Sequence, residues 1–224
     1  MERTNQGVTW HTATLPPSTL HALEFLAATD WIAHTSFYLA GGTALALQVG
    51  HRQSVDLDFF SPKKNPSPSG VLEHLSEPEW KTTDLQEGTL YGILLGASVS
   101  FIAYPFFVPK EPFVQYGNIH VLSVRDIAVM KIIAISQRGR KRDFLDLYWY
   151  SMHQESFVDV IRRLPAQYPK VAHDYHHILK AMLYFEDAEE DPMPKLNFEA
   201  DWPRVKEFFR TEVTRAAKEL LGIG

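Results

Sequence analysis

The chain has 224 residues, 45% of them apolar, with 14 Phe, 9 Tyr and 5 Trp, a composition that supports a sizeable core and excludes an intrinsically disordered protein. Its 22 Lys and Arg against 27 Asp and Glu leave a net charge of −5, so any contact with nucleic acid is local rather than spread over the surface. The lack of cysteine excludes disulfides, thiolate zinc sites and a cysteine nucleophile, and with a start, MERTNQGVTW, that has no apolar signal-peptide core, it gives the cytoplasm as the expected location.

In chain order, Pro16-Pro17-Ser18-Thr19 ahead of LHALEFLAA predicts a capped helix with Leu20, Leu23, Leu26 and Ala27 at helical spacing. A strand is predicted over residues 37–40. Gly41-Gly42-Thr43 then interrupts the chain, and residues 44–48 read as a short helix that Gly50 ends. A second strand covers residues 54–60 and stops at Ser61-Pro62. The segment 63–70 is linker-like and leads into a short helix near residues 71–75. Further strands are expected over 81–83, 89–95, 99–104 and 119–122.

Residues 91–109 carry no charge and are long enough to cross a bilayer. Gly96-Ala97-Ser98, however, reads as a turn, Ser98 and Ser100 alternate with Val99 and Phe101, and Pro105 would break a helix, so a strand hairpin is predicted and no membrane partner. Ser123-Val124-Arg125-Asp126 is a capping signal in front of IAVMKIIAIS, with Gly139 as the stop. Helices follow over 144–152, 157–164, 171–185 and 203–221, and no internal repeat is visible. The expected fold is α+β, a mixed-sheet core with flanking helices over 1–122 and a helical C-terminal domain over 123–224 that completes a cleft.

The predicted strand over 54–60 poses a chemical question. Side chains alternate across a strand, so Asp56 and Asp58 share one face with Ser54 and Phe60. Two carboxylates about 7 Å apart on a half-buried face repel unless something positive sits beside them. A hard cation such as Mg²⁺ or Mn²⁺, which takes one or two carboxylates together with phosphate oxygens, fits that need; a solvent-facing edge strand with two idle acids is the plain alternative. Gly41-Gly42-Thr43 sharpens the choice, because glycines admit a close ligand and a helix N-terminus favours phosphate. The segment is not a P-loop, since no Gly-Lys-Ser/Thr follows.

The run of strand, Gly41-Gly42-Thr43, short helix, Gly50-His51-Arg52, Ser54, Asp56-Leu57-Asp58-Phe59-Phe60, followed by Asp126, Met130-Lys131, Ala134, Arg138 and Arg142-Asp143-Phe144-x-Asp146-Leu147-Tyr148, resembles the AbiEii/AbiGii toxin family of the DNA polymerase β-like nucleotidyltransferase superfamily. The two blocks reach from about residue 37 to 150, and the last seventy residues carry no matching motif. The resemblance implies Mg²⁺-dependent transfer of a nucleoside monophosphate from an NTP to an acceptor, with a tRNA 3′ end or a protein among the acceptors and a cognate antitoxin as partner in a toxin–antitoxin or phage-defence system. It implies that Gly41, Gly42 and Thr43 bind nucleotide phosphates, that Asp56 and Asp58 bind metal, that Lys131 contacts the triphosphate, and that Asp143 or Asp146 completes the site; Arg52 and Ser54 flank the metal strand as further cofactor-binding candidates, with Arg52 suited to clamp phosphate bidentately or to pair with an acid. One departure stands out: superfamily catalysts usually carry a third carboxylate on a following strand, and Ser100 stands there, a poor base at neutral pH.

Other residues have plainer readings. Lys131 lies among apolar neighbours and needs a partner, so an ion pair with Asp143 or Asp146 is the structural alternative to a phosphate contact. Arg138, Arg140, Lys141 and Arg142 form the one dense basic run, suited to guiding an NTP or RNA, or to a solvated turn. His173, His176 and His177 have a metal-like spacing without the glutamate of a zincin. Two rival functions remain: a catalytically weak or inactive nucleotide- or RNA-binding relative, favoured by Ser100, and a D-x-D glycosyltransferase, which leaves Lys131 and the Asp143 block without a role.

Overall fold

The structure, a computed structural model, describes residues 4–5, 8–64 and 68–222; the predicted linker over 63–70 lies partly outside them. Thr4–Asn5 (β1) and Val8–Thr9 (β2) pair as a small antiparallel ribbon. Helix α1 (Pro17–Ala28) opens with proline in its first turn, where the missing N–H has no intrahelical role, and it buries Leu23, Leu26 and Ala27. A single turn, α2 (Asp30–Ala33), follows. Strand β3 (Tyr38–Ala40) is wholly buried and passes without a loop into α3 (Gly41–Val49). The predicted break at Gly41 is therefore the first turn of the helix, and Gly50, at φ 69°, closes it as expected.

Strand β4 (Leu57–Ser61) begins three residues later than the sequence suggested. The preceding loop is held instead by a distant segment. The Gln53 N–H donates to the Lys195 carbonyl at 2.9 Å, the Asn197 N–H to the His51 carbonyl at 2.8 Å, and Asn197 Nδ2 to the Gly50 carbonyl at 2.7 Å. This strap satisfies backbone groups that a strand partner would otherwise take.

After α4 (Pro68–Leu72) come β5 (Trp80–Gln86), β6 (Thr89–Leu94) and β7 (Ala97–Ala103), an antiparallel meander. Leu95 and Gly96, at φ 50° and 85°, make the two-residue turn between β6 and β7, the left-handed pair that matches strand twist. The uncharged run over 91–109 is thus a hairpin and its exit, and among the described residues no helix is long and apolar enough to cross a membrane. Strands β8 (Val114–Tyr116) and β9 (Ile119–Val121) form a second hairpin, of which only β9 was expected.

Among the described residues, seven strands make one mixed sheet in the order β5-β6-β7-β4-β3-β9-β8, with β4 parallel to β7 and β3 parallel to β9. Helix α5 (Val124–Arg138) starts where Ser123 Oγ accepts the Asp126 N–H at 3.1 Å and ends at Gly139, φ 53°. Helix α6 (Lys141–His153) begins three residues earlier than predicted, which puts Asp143 in its first turn. The single helix expected over 157–164 is two short ones, α7 (Phe157–Arg162) and α8 (Leu164–Gln167). The one expected over 171–185 shortens to α9 (Tyr175–Ala181), because Asp174 caps it by accepting the His177 N–H. After α10 (Glu186–Glu189), α11 (Trp202–Leu221) buries Val205, Phe209, Val213 and Ala216 at helical spacing. Phe209 meets Phe144 of α6 edge-on at 5.1 Å; burying each such large apolar side chain contributes about 1.5–3 kcal/mol. One buried cluster runs from Trp10 to Ala216, across both halves of the chain, and so holds α5 and α6 against the sheet side that carries the acids.

Candidate active site

A cleft of about 280 Å³ opens between the sheet and α5. Its floor starts where β3 becomes α3. Gly41 adopts φ 71°, a left-handed conformation that favours glycine, and a Cβ there would lie 3.2 Å from Asp58 Oδ2. A Cβ at Gly42 would collide with the Arg52 guanidinium. The two glycines therefore allow an acid and a base to crowd the N-terminus of α3, whose first N–H groups have no intrahelical acceptor. Thr43 and Ser54 lock this corner: their hydroxyls lie 2.8 Å apart, and the Thr43 hydroxyl also donates to the Asp56 carbonyl.

Asp58 lies across the ladder from Ala40 on one side and Ser100 on the other. Ser100 Oγ donates to Asp58 Oδ1 at 2.7 Å. Asp56 sits just before β4, half-buried, with Arg142 Nη1 3.5 Å from its Oδ2. Its pKa is raised by burial and then by the charge of Asp58, against the opposing pull of Arg142. Two hard oxygen donors that repel each other at the edge of a cleft suit a Mg²⁺ ion that fills its remaining positions with water and phosphate oxygens. Among the described residues, no three His, Cys, Asp or Glu side chains gather as a closed protein cage for a metal.

The opposite wall is cationic. Lys131 Nζ stands 2.7 Å from Asp143 Oδ1 and 2.7 Å from Asp146 Oδ2. Arg52 grips Asp146 with Nε at 2.6 Å and Nη2 at 2.9 Å, the bidentate geometry that planar guanidinium favours. Arg138 Nε reaches Asp143 Oδ2 at 3.1 Å, and His51 Nε2 reaches Asp146 Oδ1 at 2.7 Å.

Burial alone would raise the pKa of Asp146, but Arg52 and Lys131, with the His51 hydrogen bond, outweigh it and hold the carboxyl well below its usual range. Lys131 and Arg138 do the same for Asp143. Burial dominates at His51 and lowers its pKa from 6.5, so the imidazole is neutral at pH 7 and donates its Nε2–H to Asp146. Three cations, Lys131, Arg52 and Arg138, thus face two carboxylates on this wall, and all three line the cleft; with Arg142, Asp56 and Asp58 included, the charges of the whole site balance. A metal ion held by Asp56 and Asp58 would tip that balance toward an anionic ligand.

Gly41, Gly42, Thr43, Arg52, Ser54, Asp56, Asp58 and Lys131 all line the cleft, while Asp143 and Asp146 lie behind it. The pairing of Lys131 with both acids is the structural alternative considered from the sequence. Asp143 and Asp146 are fully buried and saturated with cationic partners. They hold the basic groups in place and are poorly disposed to accept a proton, which alters the completing role expected of them. The basic run divides: Arg138 and Arg142 face the cleft, Arg140 pairs with Asp191 at 2.8 Å, and Lys141 turns to the Asp191 carbonyl and the Trp202 ring. His173 is taken up locally, its Nε2 3.0 Å from the Tyr168 carbonyl.

Sequence reasoning missed His51, whose role depends on a partner 95 positions away. It also missed Tyr91, Phe60, Tyr104 and Gln137, which line the cleft as well. The available signal was parity: Phe60 shares the face of Asp58, yet only the pairing of β6 with β7 brings Tyr91 there.

A family model described as nucleotidyl transferase AbiEii toxin, type IV toxin–antitoxin system, matches residues 24–80 and 99–221. An uncharacterized protein of Aquifex aeolicus is 37% identical over 186 residues, 79% of this chain and 86% of that protein. The crystal structure of JHP933 from Helicobacter pylori superposes with a TM-score of 0.53 at 19% identity, over 93% of this chain and 95% of that one. MenT4, a nucleotidyltransferase toxin of Mycobacterium tuberculosis, gives 0.51 at 18% identity, over 92% and 87%. At those identities the two structures establish likeness of fold.

Proposed function

The chain belongs to the AbiEii nucleotidyltransferase toxin family, and from that premise we propose that it transfers a nucleoside monophosphate from an NTP to an acceptor hydroxyl with the help of Mg²⁺ or Mn²⁺. The observation that carries this reading is the placement of Asp56 and Asp58 beside the Gly41-Gly42 helix terminus, in one cleft with Arg52, Lys131 and Arg138. The N–H groups of α3 and the Arg52, Lys131 and Arg138 side chains bind the triphosphate, while Asp143 and Asp146 keep those cations oriented. Asp56 and Asp58 would hold the metal ion, which when bound neutralises charge developing on the transferred phosphoryl group.

The acceptor oxygen forms a bond to the α-phosphorus as the bond from that phosphorus to the bridging oxygen breaks, and pyrophosphate leaves in line. Ser100 donates its proton to Asp58, so it is not the base, and the acceptor proton passes to solvent. The acceptor we favour is a tRNA 3′ end, with a protein hydroxyl as the alternative. A cognate antitoxin is the partner and the cytoplasm the setting, as the family's type IV system suggests.

Incubation of the protein with each labelled NTP, Mg²⁺ and either total tRNA or cell protein tests the reading, with Asp58→Ala as the control. Label on one acceptor from the wild type alone supports transfer. Ser100 in place of a third carboxylate favours a second reading, a nucleotide-binding relative without activity. Calorimetry that shows NTP binding, beside labelling that never exceeds the control, would select it.

A further inference from the structure

The cleft has a second end that the phosphate chemistry leaves unused. Ala40, Asp58, Ser100 and Tyr91 lie directly opposite one another across β3, β4, β7 and β6, so their side chains share one face of the sheet. Gly41 follows Ala40, which places the phosphate-binding helix terminus at the β3 end of that row. In an in-line displacement the incoming oxygen and the departing pyrophosphate lie on opposite sides of the phosphorus. With pyrophosphate at the α3 end, the acceptor enters over Ser100 and Tyr91, about 5–10 Å beyond Asp58 at the usual strand spacing.

That end is aromatic. Tyr91 is 41% exposed although β6 has a neighbour on each side. Phe60 lies one step further along the same face as Asp58 and meets Tyr104 edge-on at 5.6 Å; Tyr104 in turn meets Phe106 at 6.0 Å, and Phe106 is 52% exposed. A line of rings therefore leads from the floor of the cleft to solvent. The neighbour of Tyr91 on β5 is Asp84, whose charge disfavours a phosphate there. Exposed rings fit the flat face of a base, since stacking depends little on which base is offered.

We infer that Tyr91 is an acceptor-binding residue, on whose ring the terminal base of a single-stranded RNA end stacks as its hydroxyl approaches the α-phosphate. This rests on the nucleotidyltransferase reading above. The test uses the full chain with Mg²⁺, a non-hydrolysable NTP analogue and a fluorescein-labelled single-stranded oligoribonucleotide, followed by fluorescence polarisation. Tyr91→Ala is expected to weaken oligoribonucleotide binding about tenfold or more, the usual consequence of losing one stacked base. Tyr91→Phe, which keeps the ring, is expected to stay within about twofold of wild type. Calorimetry should give the same NTP affinity for all three proteins.

Unchanged oligoribonucleotide binding in Tyr91→Ala overturns the inference, as does a parallel fall in NTP affinity, which would assign the ring to the donor base. Transfer of label to protein alone, with no oligoribonucleotide binding by the wild type, overturns it too. Failure of the wild type to bind any NTP would sink the nucleotide reading itself, and is recognised by calorimetry without RNA present.

Discussion

Asp56 and Asp58 stand half-buried at the mouth of the cleft with Arg142 and Ser100 as their side-chain partners, whereas Asp143 and Asp146 lie fully buried and gripped by Lys131, Arg52, Arg138 and His51. The same residue type meets opposite electrostatic fates within one site. Burial and a like charge raise the pKa of Asp56, while cations hold those of Asp143 and Asp146 down. An acid whose charge the protein fully answers is part of the frame; an acid whose charge it leaves partly unanswered is ready for a cation from outside. The division of labour is what substitutions should expose.

The largest effect is expected at the buried pair. Asp146→Ala leaves Arg52 and Lys131 without their shared counter-ion and should cost about 3–5 kcal/mol of stability, read as a lower denaturation midpoint in urea. Asp58→Ala should do the reverse: stability within about 1 kcal/mol of wild type, since a repulsion with Asp56 is relieved, but transfer reduced about a thousandfold or more, from the several kcal/mol a metal ion supplies. Label incorporation and Mn²⁺ binding followed by electron paramagnetic resonance would separate the two. If Asp58→Ala unfolds the protein and Asp146→Ala does not, the contrast is reversed and the assignment of frame and ligand seat fails.

The pH response comes next in size. His51 has a folded pKa below 6.5, so the native state resists its protonation and stability is lost as pH falls from about 6.5 through the folded value. Asp143 and Asp146 have folded pKa values below 3.8, so their contribution is present above that pH and lost only as pH drops further. Unfolding midpoints measured from pH 8 to 3 should therefore fall in two stages, and His51→Gln, which keeps a donor toward Asp146, should remove the first. The smallest change is expected for Ser100→Ala, which deletes one hydrogen bond to Asp58 worth about 0.5–1.5 kcal/mol and should shift Mn²⁺ affinity by less than about tenfold.

Much of the open part of the site was legible, because it is written locally. Two acids one residue apart, a pair of glycines at a strand end and the Ser123 cap each announce themselves over a few positions. The α5–α6 charge cluster was legible in part: buried Lys131 demanded an acid, and Asp143 and Asp146 were the nearest candidates. What stayed hidden depends on register. Strand β8 is three residues of ordinary composition that pair only because Gly117-Asn118 turns the chain back. Tyr91 reaches the cleft only through the ladder with Ser100. Nothing near His51 in the chain explains it, and the late start of β4 follows from a strap that arrives from residues 195–197.

That strap has a consequence for how the molecule comes into being. The loop that carries Arg52 is stitched at Gly50 to Asn197, 147 positions further on, and Arg52 itself finds its counter-ion 94 positions away. A ribosome that has delivered Asp56, Asp58 and both glycines has therefore not yet delivered what aligns the guanidinium beside them. The loop therefore cannot take this shape until residues 195–197 have emerged, so synthesis leaves an interval in which the candidate site is complete in composition and still without its shape.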